Sequence, residues 1–490
     1  MVYKIRCIYI YIYTIICVVS LVLLYILDLE YNAYITKFAC YSSFFLVILY
    51  CLRKFLLKDG NWFDANIFFI IGYLIVFVQV PMKIVNGISV TEVKFGTNFM
   101  NYEYVTYGSI LSLLGLASYL LGVELKWHPE SNFMTMPASG NTIKKGISFF
   151  YYVSISLLFI FILQTMGVHY GENIGFIAQL IYSLLNMFSI ILFASSGFSA
   201  IHECNRTGKR SLYNYIMFQR KSVLIYFILL SAYFVNMGTR AAFLTFLMAF
   251  FTPYFCLLKK LKFNLFVLFL VVGMGLVAWS AAFRSSEDLS FSEKFQNSLL
   301  VIENIEALSE DFSGSVYLAL TYELEKSYLS YNELLRMTDM TGLQYGTSWG
   351  IQAISSIIPL SGNLIKYFWD LQDEKLVSSL ALSELVSRDF AGKGMGSSII
   401  GDIYYNFGTI GVLVFMLILG YFVSYIRTGI HLEHKPLLKI MFLSIYSCMI
   451  FNNFLICRNE YYLGWTFYIR TIILFFILEY FFRRREENYE

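Results

Sequence analysis

The chain has 490 residues, of which 58% are hydrophobic and only 14% are charged. Water-soluble domains carry about a quarter charged residues, so this composition excludes a soluble globular enzyme, a nucleic-acid-binding protein and a disordered scaffold. The formal net charge of +3 is small and by itself indicates no class of partner. Because only helices and closed barrels satisfy their backbone in lipid, and because the apolar runs have helix length, we predict an all-α polytopic integral membrane protein.

Twelve apolar runs are long enough to be membrane-spanning helices. The first follows Lys4 and Arg6 and is too long for a signal-peptide core, so we expect it to remain as the first membrane helix. The predicted spans are residues 7–27, 33–52, 65–83, 104–123, 147–166, 175–200, 222–237, 240–257, 264–283, 403–426, 437–457 and 463–482.

The distribution of Lys and Arg predicts the orientation of these spans. With the N-terminus in the cytoplasm, every inner loop is basic, and both termini are cytoplasmic. The inner cations are Lys4, Arg6, Arg53, Lys54, Lys58, Lys126, Lys144, Lys145, Arg206, Lys209, Arg210, Arg220, Lys221, Lys259, Lys260, Lys262, Arg427, Lys435, Lys439 and Arg483 to Arg485.

One long connection interrupts the series of short loops. It divides the chain into residues 1–283 with nine spans, an extracytoplasmic loop over 284–402, and residues 403–490 with three spans and a cytoplasmic tail. Acidic side chains outnumber basic ones in this loop, and it contains no cysteine. We expect it to be mostly helical and held by packing on the membrane helices, with residues 348–360 forming an interfacial helix.

Several cations are predicted near the outer ends of the spans, where the positive-inside rule disfavours them. Each alone is explained by snorkelling to lipid phosphates, but a convergent set would bind a pyrophosphate. The turn from Gly392 to Ser398 adds free backbone N–H groups before a helix, a pattern suited to phosphate and also found in plain helix caps. The candidates for this site are Arg240, Arg284, Arg388, Lys393, Arg458, Arg470, Gly394 and Gly396.

Three acidic residues lie near these cations and are candidates to activate a hydroxyl nucleophile. Asp402 is the first choice, Asp389 is its alternate and Glu384 is the third. A structural salt bridge from Asp402 to Arg388 or Lys393 remains an equal alternative. The histidines are dispersed, so we predict no metal site and no cofactor.

Three segments make the chain resemble the Wzy-type oligosaccharide repeat-unit polymerases, also called O-antigen polymerases. They are the short outer turn Gly238-Thr239-Arg240, the loop segment Tyr345-Gly346-Thr347-Ser348-Trp349 followed by Ile358-Pro359, and the run from Gly394 to Gly411. The predicted topology is similar over the whole chain, whereas the motifs cover a small part of it. Members carry either acid where Asp402 stands, so the identity of a general base does not carry over.

The resemblance implies a GT-C-like membrane glycosyltransferase of the bacterial cytoplasmic (inner) membrane. Such an enzyme transfers a growing chain from undecaprenyl pyrophosphate onto a new lipid-linked repeat unit, which builds the O-antigen of lipopolysaccharide, a capsule or an exopolysaccharide. Donor and acceptor are then both undecaprenyl-pyrophosphate-linked oligosaccharides. The implied partners are the lipid bilayer, a chain-length regulator and a flippase, with no nucleic acid.

Two other membrane functions remain open at this point. A lipid-linked oligosaccharide flippase (a Wzx-type transporter) also has twelve spans, but it has short loops and two related halves, which this chain lacks. An O-antigen ligase has a similar shape, yet its members use an outer-loop histidine, and residues 284–402 contain none. A purely structural membrane protein is a further alternative.

Overall fold

The computed structural model describes residues 2–56, 60–87, 101–126, 141–165, 176–237, 239–271, 273, 316–357 and 397–487. All secondary structure in these ranges is helical, which confirms the all-α prediction. Nine helices among them are long and apolar enough to cross a membrane, and a bent pair makes a tenth if it counts as one span. The chain is thus a multi-pass membrane protein, and the count of twelve stays a prediction.

The first half of the described chain contains ten helices. They are α1 (Val2–Ile26), α2 (Ala33–Leu56), α3 (Ala65–Val85, π-helical over Leu74–Val78), α4 (Glu103–Lys126), α5 (Asn141–Thr165), α6 (Phe176–Thr207), α7 (Leu212–Phe218), α8 (Lys221–Asn236), α9 (Arg240–Pro253, continued by a π-helical turn Tyr254–Leu258) and α10 (263–271). The axes of α7 and α8 differ by 104°.

The second half contains two helices of the long loop and three helices that follow it. They are α11 (Val316–Thr341), α12 (Thr347–Ile357), α13 (Ile399–Leu432), α14 (Pro436–Leu455) and α15 (Trp465–Glu487). The connection from α14 to α15, residues 456–464, is called the linker below. It contains two short 3-10 turns, Ile456–Arg458 and Tyr461–Leu463.

The core of the bundle is formed by α3, α4 and α14. The most apolar window of α4 is 89% buried and that of α14 is 83% buried, against 28% for α1. Helix α4 packs on α1, α2 and α13, while α14 packs on α3, α6 and α9. Helices α1 and α5 therefore present most of their apolar surface outward, as lipid-facing helices do.

Helix α13 is folded back on itself at Gly408, which adopts φ 66° and ψ −163°. A Cβ on Gly411 would lie 3.5 Å from Cγ2 of Ile403, although residues eight apart in a straight helix are about 12 Å apart. A Cβ on Gly115 would likewise lie 2.8 Å from Ile400 Cδ1 and 3.5 Å from Val412 Cγ1. Residues 399–407, the half-helix, therefore lie beside the start of the long segment 409–432.

The half-helix changes one predicted boundary, because the tenth span was expected to begin near Ile403. The hydroxyl of Tyr107, one turn into α4, is 3.2 Å from the Tyr404 hydroxyl and 3.1 Å from Thr409 Oγ1. The long segment starts at that level and follows α4, with Ser424 Oγ donating to the Val123 carbonyl at 3.1 Å. The half-helix starts deeper, near Gly115, and ends at the level of Tyr107.

Helix α11 lies across the N-terminal end of α4. Asn101 and Asn332 exchange hydrogen bonds of 3.0 and 3.1 Å, and the Tyr331 hydroxyl donates to the Gly108 carbonyl at 2.8 Å. The Tyr104 hydroxyl donates to Asp339 Oδ2 at 2.9 Å. The described part of the long connection is thus helical and packed on the membrane helices. Its remaining parts, residues 284–315 and 358–396, lie outside the described residues.

Candidate functional site

Asp402 lies in the first turn of the half-helix and is fully buried. Ser398 caps this helix by accepting a hydrogen bond from the Gly401 N–H at 3.0 Å, as N-cap serines do. The Asp402 carboxylate Oδ2 accepts hydrogen bonds from Trp349 Nε1 at 3.0 Å and from the Tyr461 N–H at 3.1 Å. One carboxylate oxygen therefore joins the half-helix, the long loop and the linker.

The two most extended segments of the family resemblance come together at the half-helix. Ser348 Oγ donates to Asn406 Oδ1 at 2.8 Å, and the Gln344 N–H donates to the Tyr405 carbonyl at 3.0 Å. Gly346 has φ 78°, and a Cβ there would lie 2.6 Å from Cζ of Phe407. Only glycine fits this position, because it combines a left-handed backbone with a close neighbour.

An aromatic cluster surrounds the Trp349 side chain. Its ring is stacked on Tyr461 with centroids 4.5 Å apart and planes 8° apart. Phe407 and Phe415 pack edge-on to the same indole at 5.0 and 4.7 Å. Burial raises the pKa of the Tyr461 phenol above its ordinary value, so this hydroxyl stays protonated. The expected interfacial helix thus has its tryptophan inserted into the protein.

The linker places Arg458 beside the start of the half-helix. The Ser397 N–H donates to the Arg458 carbonyl at 3.3 Å. The Arg458 side chain is half-buried, and its guanidinium makes no hydrogen bond or ion pair with any residue that the structure describes. Among the predicted cations whose side chains the structure describes, Arg458 and Arg470, it is Arg458 whose backbone lies beside the first turn of the half-helix.

Arg470 occupies a different place from Arg458. Its Nη1 donates to Ser183 Oγ on α6 at 2.7 Å, and the side chain is half-buried between the two helices. Arg240 begins α9, as predicted. Its side chain is not among the parts that the structure describes. Arg284, Glu384, Arg388, Asp389, Lys393, Gly394 and Gly396 lie outside the described residues.

Several aromatic side chains of the long loop are buried and so unavailable to a sugar ligand. Trp349, Tyr328 and Tyr331 are buried, so they stabilise the packing of the loop and offer no free stacking face. Tyr345, by contrast, is 81% exposed and has φ 49°. Of the aromatic side chains described in this loop, Tyr345 is the one placed to meet a ligand from solvent.

A second cluster of charges was not expected from the sequence. Asp64, fully buried before α3, accepts hydrogen bonds from Lys54 Nζ at 2.6 Å and Arg427 Nη1 at 2.7 Å. Nearby, Arg53 and Glu124 form an ion pair with both side chains inaccessible to solvent. The sequence signal was an acid inside the apolar run from Asn61 to Tyr73, directly before a helix.

The described residues contain no group of three or more His, Cys, Asp and Glu side chains close enough to hold a metal ion. No protein-family model, curated protein or solved structure matches the chain. Support for a function therefore comes from the residues and their geometry.

Proposed function

We propose that this chain is a membrane glycosyltransferase that polymerises lipid-linked oligosaccharide repeat units, as the Wzy-type polymerases do. The supporting observation is that the segment Tyr345–Trp349 docks on residues 402–408 of the half-helix. These two stretches are far apart in the sequence, and each contributes to the resemblance independently. Their direct contact is what a shared site requires.

In the proposed reaction, the donor is a glycan chain on a polyprenyl pyrophosphate of the bacterial cytoplasmic membrane. A hydroxyl of the acceptor sugar forms a bond to the anomeric carbon of the donor. The bond from that carbon to the pyrophosphate oxygen breaks, and the lipid pyrophosphate leaves with the electron pair. The hydroxyl proton passes to a base, so atoms and charges balance.

Cations beside the leaving group stabilise the charge that develops on it. We propose Arg240 and Arg284 as the principal residues for this role, with Arg388, Lys393, Arg470 and Arg458 as further candidates. Arg458 is supported by the contact of its backbone carbonyl with Ser397, at the start of the half-helix. For the base, Asp402 remains a prediction, but Trp349 and the linker enclose it. We therefore rank Asp389 and Glu384 equally with Asp402 as candidates for the base.

The proposal is tested first by deleting the gene and analysing the surface glycan on gels. We expect the long-chain ladder to be replaced by a single repeat unit on the lipid anchor, and the ladder to return on complementation. Loss of all outer-face glycan would instead indicate a flippase. An unchanged ladder would exclude the polymerase function.

Arginine substitutions test the pyrophosphate site. Loss of a charged hydrogen bond costs about 1.5 to 3 kcal/mol, so Arg240→Ala and Arg284→Ala should reduce polymer by roughly ten- to hundred-fold at normal expression. Lysine should restore little, because it lacks the forked donor geometry. Arg206→Ala, at an exposed side chain paired with Glu203, is the matched control and should keep the full ladder. Long polymer from both test variants would show that the proposed site is wrong.

A further inference from the structure

The linker is attached to the half-helix at two points that bracket Arg458. The Arg458 carbonyl accepts from the Ser397 N–H, and three residues later the Tyr461 N–H donates to Asp402 Oδ2 at 3.1 Å. Two hydrogen bonds so close together fix the backbone between them. The direction in which the Arg458 side chain leaves the linker is therefore set by the half-helix.

The same oxygen of Asp402 also holds the loop. Trp349 Nε1 donates to it at 3.0 Å in the plane of the indole, while the face of the indole is stacked on Tyr461. Trp349 is thus fixed by one hydrogen bond and one stacking contact. The stacking contact joins it directly to Tyr461 of the linker, and the hydrogen bond joins it to the linker through Asp402. We call Asp402, Trp349 and Tyr461 the Asp402 clasp.

We infer that Asp402 is a positioning residue, which holds Arg458 and the docked loop segment in the geometry that binds the donor pyrophosphate. The carboxylate is 0% exposed, and the oxygen that accepts from Trp349 and Tyr461 has both of its lone pairs directed at protein donors. The other oxygen, Oδ1, faces Asn406 Nδ2 at 3.5 Å, so the buried carboxylate offers no approach to the hydroxyl of an acceptor. The part of this inference that concerns polymer rests on the proposed function.

Asparagine distinguishes positioning from proton transfer, because its one carbonyl oxygen can accept both hydrogen bonds but cannot take up a proton. We expect Asp402→Asn to keep polymer within about ten-fold of the wild type, and Asp402→Ala to lose roughly ten- to hundred-fold for each charged hydrogen bond removed. An inactive but stable Asp402→Asn protein, with Asp402→Ala no worse, would restore the base assignment and overturn ours.

Trp349→Phe removes the indole donor and keeps an aromatic ring. It should lower polymer in wild-type protein but add little to Asp402→Ala, since both substitutions break the same bond. Trp62→Phe makes the same chemical change at a buried tryptophan that packs on Phe263, and we expect it to leave polymer unchanged. Fully additive losses would contradict the clasp.

Kinetics with the lipid-linked repeat unit extracted from the deletion strain separate binding from chemistry. Because the clasp acts through Arg458, Asp402→Ala should raise KM for this lipid more than it lowers kcat, and Arg458→Ala should do the same. A loss confined to kcat, at normal melting temperature, would indicate that Asp402 takes part in the proton transfer.

A measurement independent of activity reports the clasp itself. Gln352 on α12 is half-buried beside Glu460 of the linker, so a cysteine at position 352 should react slowly with a maleimide in purified protein. We expect Asp402→Ala to accelerate this labelling several-fold and Asp402→Asn to leave it unchanged. Equal rates in all three proteins would show that no clasp holds the loop. If Asp402→Ala accelerates labelling but deletion of the gene leaves the surface glycan unchanged, the clasp is supported and the polymerase function is excluded.

Discussion

Asp64 connects four parts of the bundle through one buried carboxylate. Besides Lys54 of α2 and Arg427 of α13, it accepts from the Tyr446 hydroxyl of α14 at 3.3 Å. The oxygen that accepts from Tyr446, Oδ1, also accepts from the Asn66 N–H at 3.1 Å and so caps α3, whereas both cations bind Oδ2. Two cations share the Asp64 carboxylate in a site closed to water. Removing the negative charge of Asp64 would therefore leave their buried positive charge without this counterion.

Asp64→Asn should therefore destabilise the protein strongly. Breaking a buried pair by removing one partner costs about 3 to 5 kcal/mol, and we expect a clear fall in the melting temperature and in the yield of folded protein in detergent. Asp28→Asn, at an exposed acid in the first short connection, is the control and should stay within about 0.5 kcal/mol. Equal melting temperatures for the two variants would mean that the cluster contributes nothing to stability.

At the residue scale, the sequence identified positions but not partners. It singled out Asp402 because of its place after a glycine-rich turn, yet Trp349 is 53 positions away and Tyr461 is 59 positions away. It assigned Lys54 and Arg427 to basic inner loops, where their charge suffices to predict orientation. Contacts between distant residues depend on helix packing, which composition and periodicity do not encode.

Helices α4 and α13 approach each other closely at two glycines. A Cβ on Gly122 would overlap the Leu417 carbonyl and lie 2.8 Å from the Tyr421 N, and a Cβ on Gly420 would overlap the Tyr119 carbonyl. Small residues that let two backbones approach are the usual means of close helix packing in membranes. Each glycine therefore admits the partner backbone where any side chain would separate the helices.

Gly122→Ala should lower stability although alanine favours helices. The added methyl group meets backbone atoms, which cannot rotate away, and overpacking of this kind costs about 1 to 3 kcal/mol. Gly146→Ala is the matched control, because its Cβ would meet only Phe150 Cε2 at 4.0 Å, and it should be neutral or slightly stabilising. Thermal unfolding in detergent measures both, and a stable Gly122→Ala protein would contradict the packing described.

At the element scale, the long apolar runs predicted most of the long helices, but the sequence did not predict the local backbone geometry. Nine of the predicted spans correspond to helices able to cross a membrane. The half-helix was missed because residues 399–432 read as one continuous apolar segment, and the reversal depends on the φ of Gly408. The π-helical turns at Leu74–Val78 and Tyr254–Leu258 have no sequence signature of their own.

At the scale of the whole molecule, the orientation is still a prediction from the positions of Lys and Arg. The seventh predicted span is a helix of 16 residues, Lys221–Asn236, and most of the ninth lies outside the described residues. The twelfth corresponds to α15, which is not among the nine helices. The number of crossings therefore needs an experiment with sites on both predicted sides.

Cysteines at Met340 and Tyr213 provide such a pair. Both side chains are well exposed, at 64% and 69%, but Met340 belongs to the predicted outer loop and Tyr213 to a predicted inner one. We expect an impermeant maleimide to label Met340→Cys in intact spheroplasts and Tyr213→Cys only after lysis. The unsubstituted protein, whose eight cysteines form no disulfide and are mostly buried, is the blank. The reverse labelling pattern would overturn the topology and with it the outer-face reaction.

The reversal at Gly408 has a consequence for mapping the chain by reporter fusions. Truncations fused after Ser397 and after Thr409 differ by an apolar segment that a hydropathy plot counts toward a crossing. In the folded protein the chain reverses at Gly408, so this segment does not complete a crossing. We expect the two fusions to report the same compartment, with the change of compartment only beyond Leu432. The side on which the C-terminus emerges depends on whether the number of crossings is odd or even. The half-helix must therefore not be counted as a crossing.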